Sequence, residues 1–193
     1  QNIIEKVIVE PFHIATADDQ ANGGPKEGSV TWRIYLDLTA NSEFLFFTGD
    51  KQDVNRTLKF STTTTFFNHA NGDVLPNFTK ANAVAGTIGY DSYLTAGAAT
   101  NDNYFGVPKS IDPSGYALNT GPAFNAPSIS PGVDFTPNFK NTPGASYESF
   151  AVSVGPDLGQ KGYDPAGQNI ILLGQFTTDG EFKGLRNINT KHQ

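Results

Sequence analysis

The chain contains no cysteine and no methionine among its 193 residues. Without cysteine there is no disulfide framework, zinc finger, thiol nucleophile or iron–sulfur cluster. Basic residues are also scarce: 13 Lys and Arg face 19 Asp and Glu, a formal net charge of −6. A nucleic-acid surface needs a basic stripe to neutralise phosphates, and this balance argues against one. Charged residues of either sign make up only 17% of the chain, which disfavours helical bundles and coiled coils. Long apolar runs are missing as well, the longest being short segments such as residues 170–173, so no stretch approaches the ~18 residues of a membrane span. No Walker loop, no dinucleotide fingerprint and no G-x-S-x-G elbow occurs, which sets aside nucleotide use and a nucleophilic-serine hydrolase.

What is abundant is glycine (20), proline (12) and aromatic residues (12%). A chain of this length forms one domain that buries about 70% of its unfolded surface, enough for one substantial core. The clearest periodicity is Val30, Trp32, Ile34, Leu36 and Leu38 alternating with Thr31, Arg33, Tyr35, Asp37 and Thr39, the period of a strand with one buried face. Leu58 to Phe66 and Phe150 to Val154 alternate similarly, with β-branched threonines suited to a pleated surface. Residues 170–176 are mostly apolar on both phases and read as a central strand covered on both sides. Residues 3–10 form a β-branched N-terminal strand closed by Pro11, and residues 44–47, 88–95 and 181–188 are further strand candidates. No window sustains an i, i+3, i+4, i+7 apolar pattern, so helix is expected only as short turns. Many short strands separated by Gly/Pro/Asn clusters imply an all-β fold, a single jelly-roll-like β-sandwich spanning residues 1–193. Residues 110–146 stand apart: six prolines interleaved with Phe124, Phe135 and Phe139 are incompatible with a central strand and read as a long ordered loop packed on the sandwich.

Several residue groups bear chemistry. His13, His69 and His192 lie on unrelated segments at no metal-ligand spacing, so each reads as a solvent-facing or hydrogen-bonded histidine. Asp18 with Asp19, Asp50 with Asp53, and Asn101-Asp102-Asn103 offer oxygen ligands for a structural calcium ion, the last in the best loop for it. None has the EF-hand spacing, and Asp and Asn also build turns by bonding their own backbone. Asp91, Asp37 and Glu148 are candidates for the paired carboxylates of glycoside hydrolysis, with no feature that pairs any two. Asn55-Arg56-Thr57 and Asn77-Phe78-Thr79 fit the N-glycosylation pattern, which chance produces in an Asn- and Thr-rich chain. Tyr104, Tyr116, Tyr147 and Tyr163 lie near loops, where they could stack on sugar rings or line a protein contact. The residue 1–10 arm, with Ile3, Ile4, Val7, Ile8 and Val9, is an edge strand that pairs either with its own sheet or with another subunit's.

Residues 61–67 (STTTTFF), 90–98 (YDSYLTAGA), 104–111 (YFGVPKSI) and 173–182 (LGQFTTDGEF), together with 28–37 (GSVTWRIYLD), resemble, in this order, a β-rich domain near the N-terminus of secreted Bacteroidetes-type proteins, many exported by the type IX system. The resemblance covers most of the chain and implies an extracellular module. It carries no established activity or catalytic residues. A first residue other than Met in a Met-free chain fits removal of a signal peptide, and the end at Gln193 leaves out the C-terminal sorting domain expected of that route. The expectation is a non-enzymatic extracellular structural or adhesive protein that self-associates, into filaments or a surface layer. Its contacts would fall on the N-terminal arm and on Phe124, Phe135 and Phe139. The alternative is a carbohydrate-binding module, with or without calcium; a hydrolase using a carboxylate pair within residues 90–111 is a third.

Overall fold

The computed structural model describes residues 3–49, 59–120, 128–131, 144, 146–147, 150–153, 159–163 and 167–184. It is an all-β structure of antiparallel strands with two short helices. The helices are α1 (Ala17–Ala21) and α2 (Lys80–Ala85), each capped by a threonine whose hydroxyl accepts from a backbone N–H of the first turn.

The central sheet is built on the two strands with the strongest patterns, β2 (Val30–Leu38) and β11 (Ile170–Thr178). They pair antiparallel, with β1 (Ile4–Ile14) outside β2 and the two-residue β5 (Tyr93–Leu94) outside β11, giving the order β1-β2-β11-β5. The remaining described strands make three smaller sheets. These are β3 (Phe46–Gly49), β10 (Phe150–Ser153) and β8 (Ser128–Pro131); β12 (Phe182–Gly184), β4 (Phe60–Thr62) and β9 (Ser146–Tyr147); and the hairpin β6 (Tyr104–Gly106) with β7 (Tyr116–Leu118).

One face of the central sheet presents Ile34, Leu36 and Leu38 of β2 with Ile171, Leu173 and Phe176 of β11, packed against Phe44, Phe47, Phe60, Phe66 and Val152. Phe60 stacks on Phe176 at 4.5 Å between ring centroids, and Phe176 stacks on Phe182 at 5.4 Å. The opposite face carries Tyr35 and Leu172 against Phe12, Phe78, Tyr93 and Tyr116. The central sheet is therefore covered on both faces. This corrects the one-sided reading of β2: its alternate phase is buried too, Arg33 and Tyr35 both being fully inaccessible. Those side chains are tolerated inside because Arg33 Nε and Nη1 and Tyr35 Oη find partners while their flat surfaces pack on rings. Trp32, on the apolar phase, is half-buried and stacks on Phe182.

Other expectations change locally. Pro11 does not close β1, which continues to Ile14; Pro11 lies opposite Trp32, followed by a register shift between Pro11 and His13. A proline is admissible there because β1 is an edge strand, where one side of the backbone has no ladder to join. The candidate strand 88–95 opens as a 3-10 turn, Thr87–Tyr90, and only Tyr93–Leu94 within it pair as strand β5; the turn is held to β11 by side chains, Gln175 Nε2 donating to the carbonyls of Gly89 (2.9 Å) and Asp91 (2.7 Å), and Thr177 Oγ1 to that of Tyr90 (2.6 Å). The 110–146 segment is not one loop, since β7 and β8 lie within it. Pro131 ends β8 at the edge of its sheet, where a proline belongs. Phe124, Phe135 and Phe139 lie outside the described residues, as do Asp50, Asp53, Glu148 and His192.

Candidate functional sites

The N-terminal arm pairs with its own sheet. Its regular pairing with β2 runs from Lys6 opposite Asp37 to Pro11 opposite Trp32, bracketed by the shifts Ile4/Lys6 and Pro11/His13. Ile8 and Phe12 turn toward the Tyr35 side of the sheet, and Ile3 and Ile4 pack against the larger core. Val7 and Val9 lie on the other face opposite Leu36 and Ile34, yet remain 40% and 50% exposed. Among the described residues no strand lies beyond β1, so its outer backbone groups form a sheet edge.

That edge is tied inward by a polar row. Glu10, Arg33, Gln175 and Tyr93 are successive register partners across all four strands of the central sheet. Arg33 Nε donates to Gln175 Oε1 at 2.8 Å and Nη1 to the Gly115 carbonyl at 2.7 Å. Its guanidinium carbon lies 3.6 Å from the Phe12 ring centroid and 4.8 Å from that of Tyr116. Gly115, at φ +74°, is required for this approach: a Cβ there would fall 2.3 Å from the Phe12 ring. Tyr35 Oη lies 3.0 Å from both Glu10 Oε2 and the Val107 carbonyl, while Glu10 Oε1 accepts from the Lys109 N–H at 2.8 Å. Burial pushes the Tyr35 and Tyr93 phenols upward, partly countered by the Arg33 charge, so both stay protonated. Among the described residues, Arg33 Nη2 and Tyr93 Oη find no hydrogen-bond partner. The sequence pattern placed Arg33 on the solvent side of its strand; only the aromatics brought in from Phe12 and Tyr116 reveal its burial.

The other candidate residues do not converge. Tyr116 is buried beneath Arg33, Tyr104 is half-buried with the Lys80 ammonium 4.5 Å from its ring centroid, and Tyr163 packs beside Phe105 and Val107. Only the backbone of Tyr147 is described, and it pairs with Phe60. No ring platform is assembled from Tyr104, Tyr116 and Tyr163. In the Asn101-Asp102-Asn103 loop, Asp102 Oδ1 accepts from Lys80 N at the start of α2 (2.9 Å), Asn103 adopts φ +71°, and its amide donates to the Asn119 carbonyl (2.8 Å). These are turn and capping contacts, and no cluster of three or more His, Asp or Glu side chains occurs among the described residues. Asp91 is fully buried, its two oxygens accepting from the backbone N–H groups of His69 (2.9 Å) and Asp73 (3.1 Å); Gly72 passes so close that a Cβ would overlap the carboxylate at 2.2 Å. Asp37 accepts from Asn169 N at the far end of β2. The two acids are not a pair.

His13 Nε2 lies 2.8 Å from Asp19 Oδ2, and its ring stacks on Tyr90 at 4.0 Å. Asp19 Oδ2 also accepts from the backbone N–H and hydroxyl of Thr16, completing the cap of α1. Burial opposes ionisation of Asp19, but the Thr16 and His13 contacts outweigh it and hold the carboxyl below its ordinary value. The Thr64 hydroxyl and Lys26 do the same for Asp179, and Ser114 for Asp112.

A surface groove of about 440 Å³ lies between the loop at 69–71 and α2 with the following turn, lined by His69, Asn71, Asn77, Asn82, Thr87 and Ile88 among others. Among the described residues, no Asp, Glu, Lys or Arg lines it. Asn71 N donates to His69 Nδ1 at 3.1 Å, which leaves Nε2 of that ring as the proton donor.

No family model, curated protein or solved structure matches this chain.

The polar row predicts that Arg33→Ala lowers unfolding stability by about 3–5 kcal/mol, because it empties a packed volume and strands Gln175 Oε1 and the Gly115 carbonyl. Arg33→Met, which keeps the volume, costs less; urea denaturation measures both. Depressed carboxyls at Asp19, Asp112 and Asp179 stabilise the fold above the ordinary carboxylate pKa near 4, and that contribution is lost as pH falls through their lower folded values. The melting temperature should therefore change little between about pH 7 and 5 and fall below about pH 4, and Asp19→Asn should shrink that fall when followed by circular dichroism.

Proposed function

We propose that this protein is a non-enzymatic extracellular structural or adhesive module that associates with itself through the outer edge of β1. The observation that carries the reading is an edge strand 11 residues long that leaves Val7, Val9 and Ile14 exposed. Such an edge offers a ladder of backbone donors and acceptors together with apolar side chains, the combination used in strand addition. The protein's likeness to β-rich domains of secreted Bacteroidetes-type proteins, and a composition lacking both readily oxidised side chains, support an extracellular setting. Removing residues 1–10 would take away most of a strand on which the sheet depends, so surface substitutions make the cleaner test. Sedimentation of the wild type is expected to show concentration-dependent association, and Val7→Lys/Val9→Lys is expected to weaken it by about 100-fold with an unchanged melting temperature. A wild type that stays monomeric up to millimolar concentration, or a double variant that associates equally well, overturns the reading.

A groove with no Asp, Glu, Lys or Arg among its described lining residues favours a second reading, a carbohydrate-binding module. Planar amides from three asparagines, an imidazole donor and the half-buried Ile88 form a set suited to a neutral polyhydroxylated ligand, in which amides bridge hydroxyls and the apolar side chain meets a sugar's C–H face. On a glycan array this reading expects a retained neutral saccharide, with binding reduced about tenfold by Asn77→Ala/Asn82→Ala and insensitive to chelator. Absence of any retained sugar counts against it.

A further inference from the structure

The segment 6–10 of β1 reads Lys-Val-Ile-Val-Glu, and it is self-complementary when laid antiparallel on a second copy of itself. We propose that two copies of this chain pair β1 to β1 about a two-fold axis through Ile8, joining their central sheets into one continuous eight-stranded sheet. The inference rests on the self-association reading above and adds its geometry. In this register Ile8 faces the Ile8 of the second copy, Val7 faces Val9, and Lys6 faces Glu10, each pair occurring twice except the first.

Three observations select this register. The uninterrupted stretch of β1, where its pairing with β2 has no shift, begins at Lys6 and ends at Pro11, and Ile8 is the midpoint of residues 6–10 within it. Paired residues have the same parity, so each side chain meets its partner on the same face of the sheet, as the two-residue period of strands demands. Charge completes the match. Lys6 is exposed, whereas Glu10 is held in place by Tyr35 and the Lys109 N–H, so an ammonium from the second copy meets a carboxylate already oriented. Shifting the strands by two residues breaks these pairs, bringing Lys6 against Ile8 or Pro11 into the ladder opposite Val7. Pro11 and the two register shifts thus limit the length of the joined edge. The contact is isologous, using the same patch on both copies, and so it closes at two. A filament or layer would be built from these dimers through a second surface.

The absence of native cysteine allows a clean test, because any introduced cysteine is the only thiol. Under mild oxidation, Val7→Cys mixed with Val9→Cys is expected to give a disulfide-linked heterodimer in high yield, and Ile8→Cys a homodimer, since directly opposed strand residues lie within disulfide reach. Val7→Cys alone is expected to cross-link poorly, its partners being diagonal. Lys6→Glu should weaken the dimer roughly tenfold by placing like charges opposite one another twice. If the chain associates in sedimentation but Val7→Cys cross-links to itself better than to Val9→Cys, this register is wrong and self-association stands. If Lys6→Glu leaves the dimer unchanged, the charge match is wrong. A strictly monomeric chain removes both the register and the reading beneath it.

Discussion

The fold depends on a cation placed inside it. Arg33 occupies the middle of the central sheet with no exposure to solvent, and its guanidinium is stabilised by directed contacts to Gln175 and Gly115 and by the faces of Phe12 and Tyr116. A buried guanidinium left without partners would cost several kilocalories per mole, so everything around it must stay in place. Phe12 comes from β1, Gln175 from β11, Gly115 from the turn before β7, and Tyr93 from β5. One side chain thereby fixes how four distant parts of the chain meet. Gln175 extends the constraint, since its amide also holds the carbonyls of Gly89 and Asp91. Asp91 in turn gathers the loop 69–73, whose His69 and Asn71 form one wall of the groove.

The same row explains why an edge strand with few buried residues stays paired to the sheet. Glu10 lies opposite Arg33 and receives hydrogen bonds from Tyr35 and Lys109 N, and Phe12 closes over the guanidinium from the same strand. β1 is therefore anchored by one face while Val7 and Val9 on the other remain open. In our account the stabilising device and the proposed contact surface are two sides of one strand: fixing Glu10 for the interior also fixes it for an incoming Lys6. Exposed edges usually carry charges and prolines that discourage pairing. Here Lys6, Glu10 and Pro11 have that character, but Lys6 and Glu10 stand two residues to either side of Ile8, which in the proposed dimer turns discouragement of pairing in general into a preference for one partner.

Much of the strand framework was legible in the sequence. The alternation from Val30 to Leu38 and the two-phase apolar run after Ile170 become the two central strands, and the lack of helical periodicity matches two helices of five and six residues. What could not be read was the fate of polar residues on alternate phases. Thr31, Arg33 and Tyr35 look like a solvent face because local pattern carries no information about aromatics arriving from residues 12 and 116. Tyr116 was a candidate sugar platform for the same reason, and long-range packing buries it. The 3-10 turn at Thr87–Tyr90 resembles a strand in composition and is bent away by side-chain contacts from β11. The groove was illegible for a related cause, its asparagines being drawn from separate segments that only Asp91 and α2 bring together. The edge itself was readable as an arm, but its register and the bounds of its unshifted stretch needed the paired strand to be seen.

The central claim, that the outer edge of residues 6–10 is a contact between copies anchored from within by Arg33 and Glu10, is tested most directly by amide hydrogen exchange followed by NMR at low and high protein concentration. With the edge paired between copies, the outward-pointing N–H groups of this stretch exchange freely in dilute solution and become protected as concentration rises, while inward-pointing ones paired to β2 are protected throughout. Exchange of the outward amides that is fast and independent of concentration would contradict it.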